Sequence, residues 1–281
     1  MIRVDDLRFT YARGTRPAVR HATFDVVEGE IFGFLGPSGA GKSTIQKILT
    51  GLLHPYEGSA RVLGRDVHAW GSDLFEFVGV GFEAPNHYGK MTGLENLAYF
   101  RSLYSGATRD PLGLLRQVGL ADAARVPVAR YSKGMQMRLS FARALIHHPK
   151  LLFLDEPTSG LDPGNARLVT DLILEHRDAG ATVVLTTHAM TIADELCDRV
   201  AFITDGEIAL LDTPVALRER FGKRAVRVET HDGEVHEYPL EGLADAPAFT
   251  TALRDGRVRS LHTMEATLER IFLEVTGKAL S

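Results

Sequence analysis

One short segment combines glycines, a lysine and hydroxyl side chains in a spacing that binds phosphate groups. Residues 36–43 match the pattern G-x-x-x-x-G-K-[ST] at every fixed position. Glycines let backbone N–H groups turn inward around a polyphosphate, and the start of a following helix adds about half a positive charge. The lysine would reach the β- and γ-phosphates, and the last serine hydroxyl would ligate Mg²⁺. The predicted phosphate contacts are Gly36, Pro37, Ser38, Gly39, Ala40, Gly41, Lys42, Ser43 and Thr44.

Two adjacent carboxylates, Asp155 and Glu156, follow directly on the apolar run Leu151–Leu154. Such a pair at the end of a buried strand is costly unless a cation or solvent compensates it. Side chains alternate along a strand, so the two cannot share a direction while the strand stays extended. We therefore assign Asp155 to the shell of a Mg²⁺ ion and Glu156 to polarising an attacking water as a general base. A strand end with two solvated acids is the alternative, which the nearby phosphate pattern disfavours.

Three short apolar runs must position these groups. Ile31–Leu35 precedes the glycine-rich segment, Leu151–Leu154 precedes the acids, and Thr182–Leu185 runs into Thr186-Thr187-His188. Runs that are apolar on both faces are typical of central strands in a parallel sheet, whose carboxyl edge binds ligands. Because the first run leads into the glycines and a helical pattern follows at 42–49, phosphate binding is favoured over an ordinary glycine-rich surface turn. The alternation of strands and helices predicts an α/β fold.

Composition narrows the class of protein. The 281 residues are 44% hydrophobic and 24% charged, with a net charge of −4, which argues against binding nucleic acid through bulk positive charge. The single cysteine, Cys197, cannot form an intramolecular disulfide or a cysteine-rich zinc site. No apolar stretch reaches the ~18 residues of a membrane span, and no secretory signal is visible at the N-terminus. We expect a cytoplasmic protein that meets a membrane only through a partner.

The chain divides into two predicted domains, residues 1–221 and 222–281. A mostly helical segment at about 86–149 interrupts the first domain between sheet strands, which indicates an inserted helical subdomain. After Phe221 the pattern changes, because Ala225–Thr230 and Val235–Tyr238 alternate around a turn and predict a hairpin. The tail Glu265–Val275 has the spacing of an amphipathic helix. The second domain is therefore expected to be a small α+β accessory unit.

A third motif lies between the glycine-rich segment and the acids. Residues 131–139, Tyr-Ser-Lys-Gly-Met-Gln-Met-Arg-Leu, resemble the signature motif of ABC ATPases, in which Ser132 would cap a helix from Met135 to His147. Residues 158–163 resemble the D-loop of the same family, His188 resembles its switch histidine, and Tyr11 resembles the aromatic that stacks on adenine. The order of these motifs over residues 1–213 identifies the chain as resembling an ABC transporter ATPase subunit.

The resemblance implies a fold, a ligand and partners. It implies a P-loop NTPase sheet with the inserted helical subdomain of the ABC ATPase fold, binding ATP and Mg²⁺. Two copies would pair head to tail, so that Ser132 and Gly134 of one copy meet the γ-phosphate held by Lys42 of the other. Glu156 and His188 would hydrolyse ATP, and the segment around residues 84–100 would pass the motion to a permease. The chain would then work at the inner face of the cell membrane.

Two departures from the family pattern refine these expectations. Glu83 stands where the family usually has a Mg²⁺-contacting glutamine, and we expect it to stay in the Mg²⁺ shell rather than point to solvent. Lys133 and Met135 in the signature, with the tail helix, resemble the daunorubicin-resistance type of exporter ATPase, which works with an ABC-2-type permease. The alternatives are a non-transport ABC ATPase and a regulatory nucleotide-binding module with weak hydrolysis. The sequence alone does not reveal the transported substrate.

Overall fold

A ten-stranded sheet forms the framework of the protein. The computed structural model describes residues 1–223, 225–264 and 266–278. Its strands are β1 (Ile2–Phe9), β2 (Val19–Val26), β3 (Ile31–Leu35), β4 (Glu57–Val62), β5 (Arg65–Asp66), β6 (Val78–Gly81), β7 (Leu151–Asp155), β8 (Thr182–Thr187), β9 (Arg199–Thr204), β10 (Glu207–Asp212), β11 (Ala225–Thr230), β12 (Val235–Pro239) and β13 (Val258–Thr263). Its helices are α1 (Lys42–Leu49), α2 (Gly93–Arg101), α3 (Pro111–Gln117), α4 (Lys133–Ala144), α5 (Pro163–Asp178), α6 (Met190–Leu196), α7 (Pro214–Phe221), α8 (Pro247–Arg254) and α9 (Leu268–Thr276).

The order of the large sheet is β5-β4-β1-β2-β10-β9-β3-β8-β7-β6. The half from β9 to β6 is parallel, whereas β1, β2, β4 and β5 pair antiparallel. The predicted α/β class is confirmed, but the sheet is mixed rather than wholly parallel. The reason is visible in β1 and β2, which alternate between buried and exposed residues as antiparallel strands with one solvated face do.

The central strand β3 is buried on both faces. Ile31 and Leu35 belong to an apolar cluster shared with the helical subdomain, α5, α6 and α9, whereas Phe32 and Phe34 belong to a second cluster beneath α1 and the antiparallel strands. The parallel pairing aligns β3 with β8 and β8 with β7. The carboxyl ends of these three strands therefore meet at one edge of the sheet, as the apolar runs predicted.

The inserted segment contains α2, α3 and α4. Thr92 and Glu95 form a reciprocal capping box at the start of α2, and Ser132 caps α4 by accepting from the Met135 N–H at 3.2 Å. The predicted boundaries of α4, Met135 to His147, are wrong by a few residues. The helix begins directly after its cap, and it ends at Ala144, before His148 takes the left-handed conformation (φ 53°) that turns the chain toward β7.

The C-terminal segment forms a small sheet of order β12-β11-β13, covered on one face by α8. Strands β11 and β12 are the predicted hairpin, and α9 is the predicted tail helix, although Glu265 lies outside the described residues. The predicted division places α9 in the same domain as this sheet. In the structure α9 packs on the large domain, where the ring centroids of Phe272 and Phe202 lie 5.3 Å apart in an edge-to-face arrangement. The apolar stripe of α9 requires an apolar surface, and α8 already covers the small sheet.

Candidate functional site

The glycine-rich segment forms a tight loop between β3 and α1. A Cβ atom on Gly36 would lie 2.1 Å from the Ile203 carbonyl oxygen, and one on Gly41 would lie 2.5 Å from the Ala18 carbonyl oxygen. Gly41 also has φ 110°, so only glycine fits both the space and the backbone at this position. Gly41 is the N-cap of α1 and supplies no side chain to the first N–H groups of the helix. These N–H groups remain able to bind an anion.

The Lys42 ammonium lies inside this loop. Its Nζ donates to the Gly36 carbonyl at 2.6 Å and to the Pro37 carbonyl at 3.1 Å, and only 6% of the residue is exposed. Burial lowers the pKa of Lys42, while the carboxylates of Glu156, Asp155 and Glu83 oppose that shift. The loop carbonyls therefore hold the Lys42 ammonium at the place where the phosphate pattern puts the end of a polyphosphate chain.

Asp155 and Ser43 meet at the carboxyl end of β7. The Ser43 hydroxyl donates to Asp155 Oδ1 at 2.9 Å, and the Thr186 hydroxyl donates to the same oxygen. Asp155 pairs with Thr186 in the β7–β8 register, which explains how the threonine reaches it. A hydroxyl and a buried carboxylate in contact are oxygen donors of the kind that Mg²⁺ prefers. The donor set therefore fits the metal that the sequence predicts.

Glu156 leaves the strand and turns away from Asp155. Its backbone takes the left-handed conformation (φ 49°), which is strained for a residue with a Cβ by roughly 1–2 kcal/mol. The carboxylate is buried, where Oε1 lies 2.9 Å from His188 Nδ1 and Oε2 accepts from the Thr187 hydroxyl at 3.2 Å. The strained turn gives the two carboxylates different hydrogen-bond partners, Ser43 and Thr186 for Asp155 and Thr187 and His188 for Glu156. His188 is more than half exposed, so the pair faces the surface.

The other predicted contacts fall into two groups. Tyr11 and Glu83 lie beside the loop, since the Tyr11 hydroxyl is 3.1 Å from the Thr44 hydroxyl and Glu83 acts electrostatically on Lys42. The Glu83 side chain is exposed rather than buried in the donor set. Among the hydrogen bonds of the described residues, none joins Ser132 or Gly134 to the loop.

Sequence reasoning missed two supports of the site. Thr186 and Thr187 hold the two carboxylates through their hydroxyls, and their place at a strand end beside His188 was the available signal. The β9–β10 turn was not anticipated at all. Its Gly206 N–H donates to the Ala40 carbonyl at 3.0 Å, so this turn braces the phosphate loop from behind.

Comparison with known proteins agrees with this geometry. The family model described as "ABC transporter" matches residues 19–159. A fluoroquinolones export ATP-binding protein of Mycobacterium tuberculosis is 55% identical over all of this chain and 95% of that protein. The chain belongs to the ABC transporter ATP-binding family. It is an ATP-binding and ATP-hydrolysing subunit of an ABC transporter, as the sequence motifs predict.

Further relatives of this ABC ATPase fit the same assignment. The daunorubicin/doxorubicin resistance ATP-binding protein of Streptomyces peucetius is 34% identical over 94% of this chain and 89% of that protein. A dimeric ATP-binding cassette solved in a post-hydrolysis state with ADP and Pi superposes with a TM-score of 0.69, at 27% identity over 76% of this chain and 98% of that one. A second family model, for a "fluoroquinolone efflux ABC transporter C-terminal domain", matches residues 224–265.

Cassettes of this family dimerise and work with membrane components. Across residues 1–223, 225–264 and 266–278 of the ABC ATPase, no helix combines the length and the hydropathy needed to cross a bilayer.

Proposed function

We propose that this ABC ATPase hydrolyses Mg·ATP between two copies of the chain and drives a separate ABC-2-type permease that exports fluoroquinolone-class drugs. Two carboxylates support the role in ATP hydrolysis. Asp155 accepts a hydrogen bond from the Ser43 hydroxyl, and Glu156 is hydrogen-bonded to His188. The substrate class is supported by the 55% identity that extends through the C-terminal domain to a fluoroquinolones export protein.

The residues at the sheet edge divide the work of hydrolysis. Lys42 would bind the β- and γ-phosphates together with the N–H groups at the start of α1. Ser43 and Asp155 would hold Mg²⁺, which when bound neutralises charge on the phosphate oxygens. Glu156 would take the proton of the attacking water, and His188 would hold the Glu156 carboxylate in position from the surface side. Tyr11 would stack on adenine at the open side of the loop.

The second half of each ATP site would come from the other copy. Among the described residues, neither Ser132 nor Gly134 at the start of α4 is hydrogen-bonded to the phosphate loop of its own chain. Gly134 lies against Leu161 of the D-loop segment, where a Cβ atom would be 3.3 Å from Leu161 Cδ2. A capped helix start with an exposed backbone binds anions. Closure on ATP then follows from the greater affinity of the closed dimer for the nucleotide.

A groove beside Glu83 supports the pairing with a permease. It has a volume of about 470 Å³ and lies between β6 and α2. Its wall is largely aromatic, and Arg143 crosses it with its guanidinium 4.7 Å from the Phe100 ring and a hydrogen bond of 2.7 Å to the Asn86 carbonyl. A short cytoplasmic helix of the permease would fit into this groove, part of which is formed by the segment of residues 84–100. The ABC ATPase would thereby sit at the inner face of the cell membrane.

Inverted membrane vesicles that contain the chain and its permease test the export. We expect ATP to drive accumulation of a fluorescent fluoroquinolone inside such vesicles, because their cytoplasmic face points outward. Vesicles that carry Glu156→Gln should bind ATP and accumulate no drug. ATP hydrolysis without any drug accumulation by the unmodified pair would refute the substrate class.

Replacing Glu83 tests its place near the metal. We expect Glu83→Gln to raise the Mg²⁺ concentration that gives half-maximal hydrolysis by a few-fold, because an amide oxygen binds a hard cation less strongly than a carboxylate. Hydrolysis measured across a Mg²⁺ titration would show the shift. Glu28→Gln, at an exposed acid in the turn between β2 and β3, is the matched control. An unchanged Mg²⁺ dependence in Glu83→Gln would place that carboxylate in solvent.

A further inference from the structure

Two cavities adjoin where the C-terminal sheet meets the large domain. The larger has a volume of about 700 Å³ and lies between α7 and the ends of β12 and β13. The smaller has a volume of about 320 Å³ and lies between the open face of the small sheet and α9. Thr263 and Met264 line both. Ligand sites in proteins commonly have this size and occur where domains meet.

The wall of the smaller cavity is cationic. Arg227 of β11 stands directly opposite His262 of β13, and Arg270 projects from the first turn of α9 into the same cavity. The acid on this wall, Glu229, is already bonded to Arg259 at 3.2 Å. Within the described ranges, neither Arg227 nor Arg270 forms an ion pair. Two arginines that have no acidic partner among the described residues favour a carboxylate, which they bind through paired hydrogen bonds.

The larger cavity has an apolar part and an acid. Val215 of α7 and Leu240 after β12 are 56% and 44% exposed, and both line it together with Met264. The two cationic side chains that line this cavity already form ion pairs. Arg218 pairs with Asp194, and Lys223 Nζ lies 3.6 Å from the Glu237 carboxylate. Glu219 of α7 also lines this cavity and forms no ion pair within residues 1–223, 225–264 and 266–278. Among the described residues that line this cavity, the unpaired charge is therefore negative.

We infer that this cleft is a binding site for a planar aromatic zwitterion, distinct from the ATP site. Arg227 and Arg270 would bind its carboxylate, Met264, Leu240 and Val215 would cover its aromatic body, and Glu219 would bind its amine. Fluoroquinolones with a piperazine ring have this charge pattern, so the inference rests on the proposed function and assigns a drug-binding role to the C-terminal domain. The drug would then contact the ATPase subunit as well as the permease.

Binding of norfloxacin to the purified full-length chain tests the site. The titration follows the intrinsic fluorescence anisotropy of the drug, with Mg·ADP at saturation so that the nucleotide site stays filled. Two further probes each lack one charge: the norfloxacin methyl ester has no carboxylate, and N-acetylnorfloxacin has no basic amine. We expect each of these to bind about 10-fold more weakly than norfloxacin, the scale of a lost charge-assisted hydrogen bond.

Variants then assign each charge to a side chain. The double variant Arg227→Gln, Arg270→Gln should weaken norfloxacin binding about 10-fold and leave binding of the ester unchanged, and Glu219→Gln should weaken norfloxacin binding and leave binding of the acetylated probe unchanged. Arg254→Gln on α8, which lies on the opposite side of the small sheet, is the control and should change nothing. Absence of norfloxacin binding, loss of binding when Mg·ADP is added, or equal effects of the variants on all three probes would overturn the inference.

The outcome is separable from that of the transport experiment. Drug accumulation in vesicles without any binding to the isolated chain would refute the site and leave the export function standing. Binding to the chain without accumulation in vesicles would refute the export function and leave the site in place.

Discussion

Glu156→Gln is expected to lower the rate of ATP hydrolysis by at least ~100-fold while ATP binding remains. The expected loss is the usual contribution of a positioned general base. In the unmodified chain the Glu156 carboxylate accepts from the Thr187 hydroxyl at 3.2 Å and lies 2.9 Å from His188 Nδ1. Glutamine has the same size and can still form a hydrogen bond with each of these side chains. What it loses is the capacity to take a proton from water. The variant should therefore accumulate as an ATP-bound dimer.

Two measurements check this expectation together. Phosphate release gives the turnover, and sedimentation in Mg·ATP gives the dimer. Glu175→Gln, an exposed acid of α5, is the matched control and should hydrolyse ATP at the normal rate. If Glu156→Gln retains normal turnover, the proton acceptor is another group, and the strained backbone at Glu156 has a different purpose.

The parts of this site that a sequence can predict are those encoded by neighbouring residues. The loop at 36–43 could be recognised because its shape depends on its own glycines and on the strand and helix that flank it. The separation of Asp155 from Glu156 could be anticipated because side chains alternate along a strand. The structure adds how the separation is achieved, through a left-handed backbone at Glu156 (φ 49°) that no propensity of glutamate would suggest.

The parts that could not be predicted depend on pairing between distant residues. Thr186 reaches Asp155 only because β7 and β8 are adjacent in this register, which the sequence does not state. The β9–β10 turn braces the loop because β9 lies beside β3, although more than 160 residues separate these strands. The mixed sheet has the same origin, because the antiparallel pairing of β1 with β2 and β4 is not stated by the sequence of any one strand.

The tail helix α9 shows the difference between predicting an element and predicting what it packs against. Its period identified a helix with one apolar face, and that face is present. A period does not say which surface will cover the face. Phe272 lies against Phe202 of β9, whose strand leads into the turn behind the phosphate loop. The last helix is therefore connected through one strand to the nucleotide site, while its first turn lines the proposed drug cleft.

Lys42→Ala is expected to weaken ATP binding roughly 10- to 100-fold without unfolding the protein. The scale is that of a hydrogen bond to a charged group, about 1.5–3 kcal/mol. The fold should tolerate the change, because burial already disfavours the charged form of Lys42, as its lowered pKa shows. Lys47→Ala on the same helix, a half-buried lysine outside the loop, should bind ATP normally.

Thermal unfolding with and without Mg·ATP separates binding from stability. A ligand that binds only the native state raises its stability according to the ratio of ligand concentration to Kd. The melting temperature of Lys42→Ala without nucleotide should stay close to that of the unmodified chain, and its rise on adding Mg·ATP should largely disappear. A large drop without nucleotide would mean that Lys42 serves the loop itself, through its bonds to the Gly36 and Pro37 carbonyls.

The fall of ATP affinity at high pH gives a second test of the role of Lys42. Only the ammonium form attracts phosphate, and the pKa of Lys42 in the free protein lies below its ordinary value of 10.5 because the side chain is buried. As the pH rises through that lowered pKa, the unmodified chain should lose affinity for ATP. The loss should begin at a lower pH than it would if this lysine were exposed. Lys42→Ala has no ammonium to lose at this position, so its weak binding should lack that decline. An identical pH dependence in both proteins would show that another cation holds the phosphates.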